Sequence, residues 1–188
     1  MKSDRMEAFS DGVLAIIITI MVLKLNAPKS LTLPAIMDVF PTFLAYILSF
    51  IYVGMYWANH HHLLNMTSLV SGRLLWKNLH WIFWMLLIPM ATEWMGLNPY
   101  KSLPAIFYGI ILFMCALSYN LVQSEVTKIN GEDSLISQNI GKDIKGKISI
   151  AGYAIAIIFA FYYPIVSYIL YIVIALTWIV PDKRLEKR

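Results

Sequence analysis

Three stretches of the 188-residue chain hold side chains that could do chemistry. The first is Arg5, Phe9, Ser10 and Asp11, an R-x-x-x-F-S-D run that opens a long apolar segment. The second is Asn59-His60-His61-His62, preceded by Trp57. The third is the pair His80-Trp81. An aspartate at the mouth of an apolar segment could carry a proton or bind a cation. Arg5, Ser10 and Asp11 could also cap a helix and complement its dipole, but Asp11 lies nearly two turns in, too deep for a cap. A buried polar network is the better reading, with His60 or His61 as hydrogen-bond partners of the first helix and His80 and Trp81 joining from a later one. Consecutive histidines invite a metal. Adjacent helical residues point about 100° apart, so three in a row do not chelate one ion. No metal site and no cofactor is expected.

These residues sit in a chain that is 59% hydrophobic and 14% charged. Soluble domains are about half apolar and a quarter charged, so the composition indicates an all-α integral membrane protein forming one domain over 1–188. The net charge of +4 is read as basic residues held at a membrane surface and not as a nucleic-acid footprint. Cys115 is alone, which excludes an intrachain disulfide and a thiolate metal cluster. The first apolar run has no cleavage site and is followed by further spans, so no cleavable signal peptide is expected.

A helix needs about 20 residues to cross the hydrocarbon. Six crossings are expected, over residues 5–25, 34–59, 76–94, 104–124, 147–163 and 165–180. The last two come from one uncharged run, 148–180, which Pro164 divides into a tight hairpin; a single kinked helix is the alternative. Residues 125–147, rich in Gly, Asn, Lys and Asp, read as a solvated loop. Asp38, Glu93 and Glu125 fall near span ends and read as solvated, and Pro34, Pro41, Pro89 and Pro104 as start and kink punctuation.

With the N-terminus inside, Lys2, Arg5, Arg73, Lys77, Lys128, Lys142, Lys145, Lys147, Lys183, Arg184, Lys187 and Arg188 are cytoplasmic. Lys24, Lys29 and Lys101 are left outside. Twelve basic residues against three orient both termini to the cytoplasm.

On a helical wheel Gly12, Ile16, Thr19, Ile20 and Leu23 fall within about 60° of Arg5, whereas Ser10 and Asp11 lie at about 140° and 240°. Ionisable groups near a bilayer turn toward protein or water. The polar pair should therefore face the subunit interior and leave the Gly12–Leu23 stripe free. Such a stripe alone is equally what lipid-facing or core packing looks like. Thr19 can bond back to the carbonyl one turn earlier or present its hydroxyl outward.

The R-x-x-x-F-S-D run at the start of the first span, with W-A-N-H-H at Trp57–His61, resembles the signature of the transmembrane protein 175 family of potassium channels in its prokaryotic single-repeat form. The six-span layout is similar across essentially the whole chain. The resemblance implies a homotetramer in the cell membrane, in contact with lipids, whose first helices line a central pore for potassium and other monovalent cations. It implies a constriction of apolar side chains at Ile16, Thr19 or Ile20, and Leu23, in place of a T-V-G-Y-G carbonyl filter, a motif the sequence lacks. It implies a structural network of Arg5, Phe9, Ser10 and Asp11 with polar residues of spans two and three: Trp57, His60, His61 and His80. A small secondary transporter of cations or small molecules is the competing reading; it would favour a charge at mid-span, and none is encoded. An intramembrane enzyme would need a second half to the His cluster, and catalysis is not expected.

Overall fold

The computed structural model of the protein describes residues 3–67, 69–131, 134, 137 and 143–179. Among the described residues seven α-helices account for six crossings: α1 Ser3–Leu23, α2 Leu33–Asn65, α3 Gly72–Met85, α4 Ile88–Leu97, α5 Ser102–Asn130, α6 Ile144–Ala160 and α7 Pro164–Ile179. No strand occurs among the described residues.

The third crossing is where the structure departs from an unbroken span. Its two halves, α3 and α4, meet at Leu86 and Leu87. Pro89 has no N–H to donate to Met85 and its ring crowds that turn. Leu87 consequently bonds to the Trp84 carbonyl at 3.2 Å, a tighter three-residue closure. Pro41, by contrast, is accommodated inside α2.

Three helix starts follow local chemistry. The Ser71 hydroxyl caps α3 by accepting from Leu74 N–H at 3.1 Å. Asp143 caps α6 by accepting from Gly146 N–H at 3.2 Å. Pro164 opens α7 after the tight turn at 161–163, where Tyr163 N–H donates to the Phe159 carbonyl at 2.7 Å. The run 148–180 is thus a hairpin of two helices, and Val180 lies outside the described residues.

Two expectations need correction. Residues 125–130 are not loop: α5 continues through them and stops at Gly131, whose φ of 90° suits glycine. "VTKIN" contains no breaker, so nothing ends the helix sooner. Most of the remaining loop, and Lys142 and residues 183–188 with it, lie outside the described residues. Glu93 and Glu125 are not simply solvated. Glu125 is buried and accepts from Lys77 at 2.6 Å, tying α5 to α3. Glu93 pairs with Lys24 at 3.1 Å, tying α4 to the end of α1.

α2 and α5 have 33 and 29 residues, so at 1.5 Å per residue they outreach a hydrocarbon layer about 30 Å thick. Trp81 is fully buried among them, stacked on His60 with ring centroids 4.6 Å apart and flanked by Tyr56 and Tyr119. Several polar side chains inside the bundle pair with one another, while Asp11 Oδ1, His60 Nδ1, Trp81 Nε1 and the Tyr119 and Tyr168 hydroxyls are enclosed without a partner among the described residues. Thr92 donates to Ser49 at 2.7 Å, Ser49 and Tyr108 share a bond of 2.9 Å, and the Tyr52 hydroxyl donates to the Tyr171 carbonyl at 2.6 Å. α2 and α4 approach so closely that a Cβ at Gly96 would stand 2.6 Å from the Thr42 Cα.

Candidate functional site

α1 packs on α2, α3 and α4 with one face and leaves the other exposed among the described residues. Met6, Ser10, Leu14, Ile17 and Met21 form the buried face. They recur every three or four residues, so they stay on one side of the helix. The opposite side carries Arg5, Gly12 and Thr19, all exposed, with Phe9 52%, Ile16 55%, Ile20 39% and Leu23 76% exposed. The stripe is therefore real as a surface: within one chain it is uncovered. The Thr19 hydroxyl donates to the Ala15 carbonyl at 2.9 Å, keeping its lone pairs outward.

The buried face is held by two hydrogen-bonded chains. In the deeper one the Ser10 hydroxyl donates to the Met6 carbonyl at 2.9 Å and accepts from Asn78 Nδ2, also at 2.9 Å. Asn78 Oδ1 in turn accepts from His60 Nε2 at 2.8 Å. An amide oxygen can only accept, so Nε2 carries the proton. Ser10, His60 and Asn78 are all buried, and the chain joins α1, α3 and α2 at one level. In the shallower one His61 Nδ1 donates to Glu7 Oε1 at 2.6 Å, and Asn65 Nδ2 donates to His61 Nε2 at 2.9 Å. Trp57 lies against His61, with ring centroids 6.1 Å apart.

Of the residues singled out in the sequence, the structure brings together Ser10 with His60, through Asn78, and Trp57 with His61. Asp11 is half-buried beside them; its Oδ1 is enclosed and has no hydrogen-bond partner among the described residues. Arg5 and Phe9 are exposed on the other face and are not brought into the chains. His80 is exposed as well and accepts from Trp84 Nε1 at 3.0 Å. The reason is rotational: His80 is two residues from Asn78, about 200° around the helix. Glu7, Asn65 and Asn78 were missed. Asn78 left one signal, an uncharged amide one turn before Trp81 on an otherwise apolar face.

Among the described residues no group of three His, Cys, Asp or Glu side chains is placed to hold a metal ion. The arrangement is a clamp. It fixes the rotation of α1 about its own axis and sets the direction in which the uncovered stripe points.

Long apolar helices, with polar side chains bonded to one another inside the bundle, define a multi-pass membrane protein. Residues 5–89 match the family model described as endosomal/lysosomal potassium channel TMEM175. A protein of Chryseobacterium sp. (strain P1-3) described as a potassium channel is 46% identical over 187 residues, covering 100% of this chain and 97% of the relative. One from Streptomyces collinus, also described as a potassium channel, is 29% identical over 68% of this chain and 66% of its own. The crystal structure of a lysosomal potassium-selective channel TMEM175 homolog from Chamaesiphon minutus has the same fold, with a TM-score of 0.82 at 22% identity over 96% of this chain and 97% of that one. The chain belongs to the TMEM175 family.

Proposed function

We propose that this protein is the subunit of a potassium-permeable cation channel and has no catalytic role. Four copies surround a pore lined by α1, and the whole chain, 1–188, serves as one channel domain. The observation that carries the reading is the uncovered stripe of α1, opposite a face locked by the Ser10–Asn78–His60 chain. One helix cannot enclose a water column, so the stripe needs copies of itself, related by a closed rotation. The relatives' descriptions as potassium channels supply the ion.

In such a ring Ile16, Ile20 and Leu23 form successive constrictions, with Thr19 the hydroxyl between them. Branched hydrocarbon offers no oxygen to replace hydration water, so the barrier is dewetting and desolvation. Without a carbonyl filter, the preference for potassium comes from its weaker hold on water, and selectivity over sodium is modest. Arg5 and Phe9, on the same side, sit at the cytoplasmic mouth; Asp11, Trp57 and His80 complete the structural surroundings of the clamp. Both termini are cytoplasmic in the cell membrane, as the basic asymmetry supports. A Ser137→Cys variant should then resist labelling from outside intact cells.

Native mass spectrometry paired with single-channel recording tests the reading. A four-subunit mass and discrete current steps in potassium, smaller in sodium, are expected. A monomer that conducts, or saturable transport without steps, would overturn it.

A further inference from the structure

A second feature lies away from α1. A cavity of about 30 Å³ opens between α2, α5, α6 and α7, toward the ends carrying Asn59, Gln123, Asp143 and Trp178. That is about twice the room one ordered water needs, enough for a group of a few heavy atoms. Tyr56, Tyr119, Tyr153 and Trp178 supply aromatic walls. Among the described residues Asp143 is the one ionisable acid in the lining, and no Lys, Arg or His lines it.

The lining is built and left unsatisfied. Asp143 is the one described non-glycine residue with positive φ, at 38°, a conformation that aspartate and asparagine tolerate best. Its Oδ1 caps α6, and among the described residues its Oδ2 has only a long bond of 3.4 Å from Asn120 Nδ2. A Cβ at Gly146 would collide with this carboxylate, so glycine there makes room for it. The Tyr119 hydroxyl is enclosed without a partner among the described residues. Gln123, 8% exposed, lines the same space. Buried polar groups are for the most part paired in proteins, and a cavity that leaves the Tyr119 hydroxyl unpartnered and Asp143 Oδ2 weakly bonded toward one space has room for a guest. Trp178 already attracts a cation on its ring: the Lys145 ammonium lies 4.7 Å from its centroid.

A carboxylate, amide and phenol oxygens and aromatic faces together suit one chemistry, a small ammonium group. We propose that this cavity binds a primary organic ammonium, one per subunit, with the charge at Asp143 and the carbon stem against Tyr56, Tyr119, Tyr153 and Trp178. Its source is either a free small amine or the ethanolamine headgroup of a membrane lipid. The inference stands apart from the pore, since none of the lining residues belongs to α1.

The test uses the full-length protein in detergent at constant potassium, with methylammonium and ethanolamine as probes. Ligand-observed NMR titration should show saturable binding of one equivalent per chain. Asp143→Asn keeps an N-cap residue of equal quality and one that tolerates the left-handed backbone, so the fold is retained. It should weaken binding at least tenfold. Tyr119→Phe, which removes only the unpartnered hydroxyl, should weaken it less. Native mass spectrometry from phosphatidylethanolamine and phosphatidylglycerol nanodiscs separates the sources: retention of phosphatidylethanolamine by the parent and not by Asp143→Asn identifies the lipid headgroup. Its absence, with the free amines still bound, identifies a soluble amine. No saturable binding, equal binding by Asp143→Asn, or one equivalent per tetramer, as pore block would give, overturns the proposal.

Discussion

Ile16→Asn is expected to raise potassium current through the reconstituted protein by on the order of tenfold, while sodium current rises more. A factor of ten corresponds to about 1.4 kcal/mol off the barrier. Ile16 is near the middle of α1 and 55% exposed on the stripe, so in a ring its branched chains meet where water has least polar company. An amide in their place offers oxygen to the ion and holds water in the gap. Desolvation then falls for both ions, and sodium, which is the more strongly hydrated, gains more. Leu23 lies at the far end of α1 beside Lys24, and Leu23→Asn should matter less. Ile17 is a poor control, since it is completely buried and its truncation to Ala would cost about 2–5 kcal/mol in packing. Val22 is the better one, being exposed but about 120° from Ile16 on the helix. Equal currents in the parent and Ile16→Asn, with Val22→Asn altered, would mean that α1 is turned differently.

The second large effect is on assembly. Asn78→Leu should lower the melting temperature of the detergent-solubilised oligomer by several degrees and reduce its yield, yet leave the potassium-to-sodium ratio of the surviving channels unchanged. The substitution strips His60 Nε2 of its acceptor and Ser10 of its donor in a buried site. An unsatisfied buried group costs roughly 1–3 kcal/mol. Ser10 keeps its bond to the Met6 carbonyl, so the cost falls chiefly on His60. Adding His60→Leu should therefore recover part of the loss, because replacing both partners leaves nothing unpaired. His80→Ala, made on the exposed face of α3, should change little. A stable Asn78→Leu oligomer with altered ion preference would place the clamp in the ion path.

How far the sequence carries this account depends on the distance over which each feature is decided. Local features are legible. Pro164 divides an uncharged run into a hairpin, and the wheel positions of Ser10 and Asp11 turn α1 with Gly12, Ile16 and Leu23 outward. Long-range pairings are not. Asn78 and His60 are 18 residues apart, and Glu7 and His61 are 54 apart. Nothing about an asparagine or glutamate in isolation names its partner across a bundle. His80 and Arg5 make the same point in reverse, since each has the right chemistry and stands on the wrong side of its helix. Pro41 and Pro89 look alike in sequence, but one is absorbed and the other splits a crossing, because tertiary packing decides whether a lost hydrogen bond breaks the helix.

The most direct test of the central claim, that the uncovered stripe of α1 faces water in a pore, is thiol accessibility at Ile16. The parent has a single cysteine, Cys115, which is buried, so the background is silent. Potassium current through reconstituted Ile16→Cys should stop when a small cationic thiol reagent is applied, and current through the parent and Val22→Cys should persist. Undiminished current through Ile16→Cys, together with block of Val22→Cys, would contradict it.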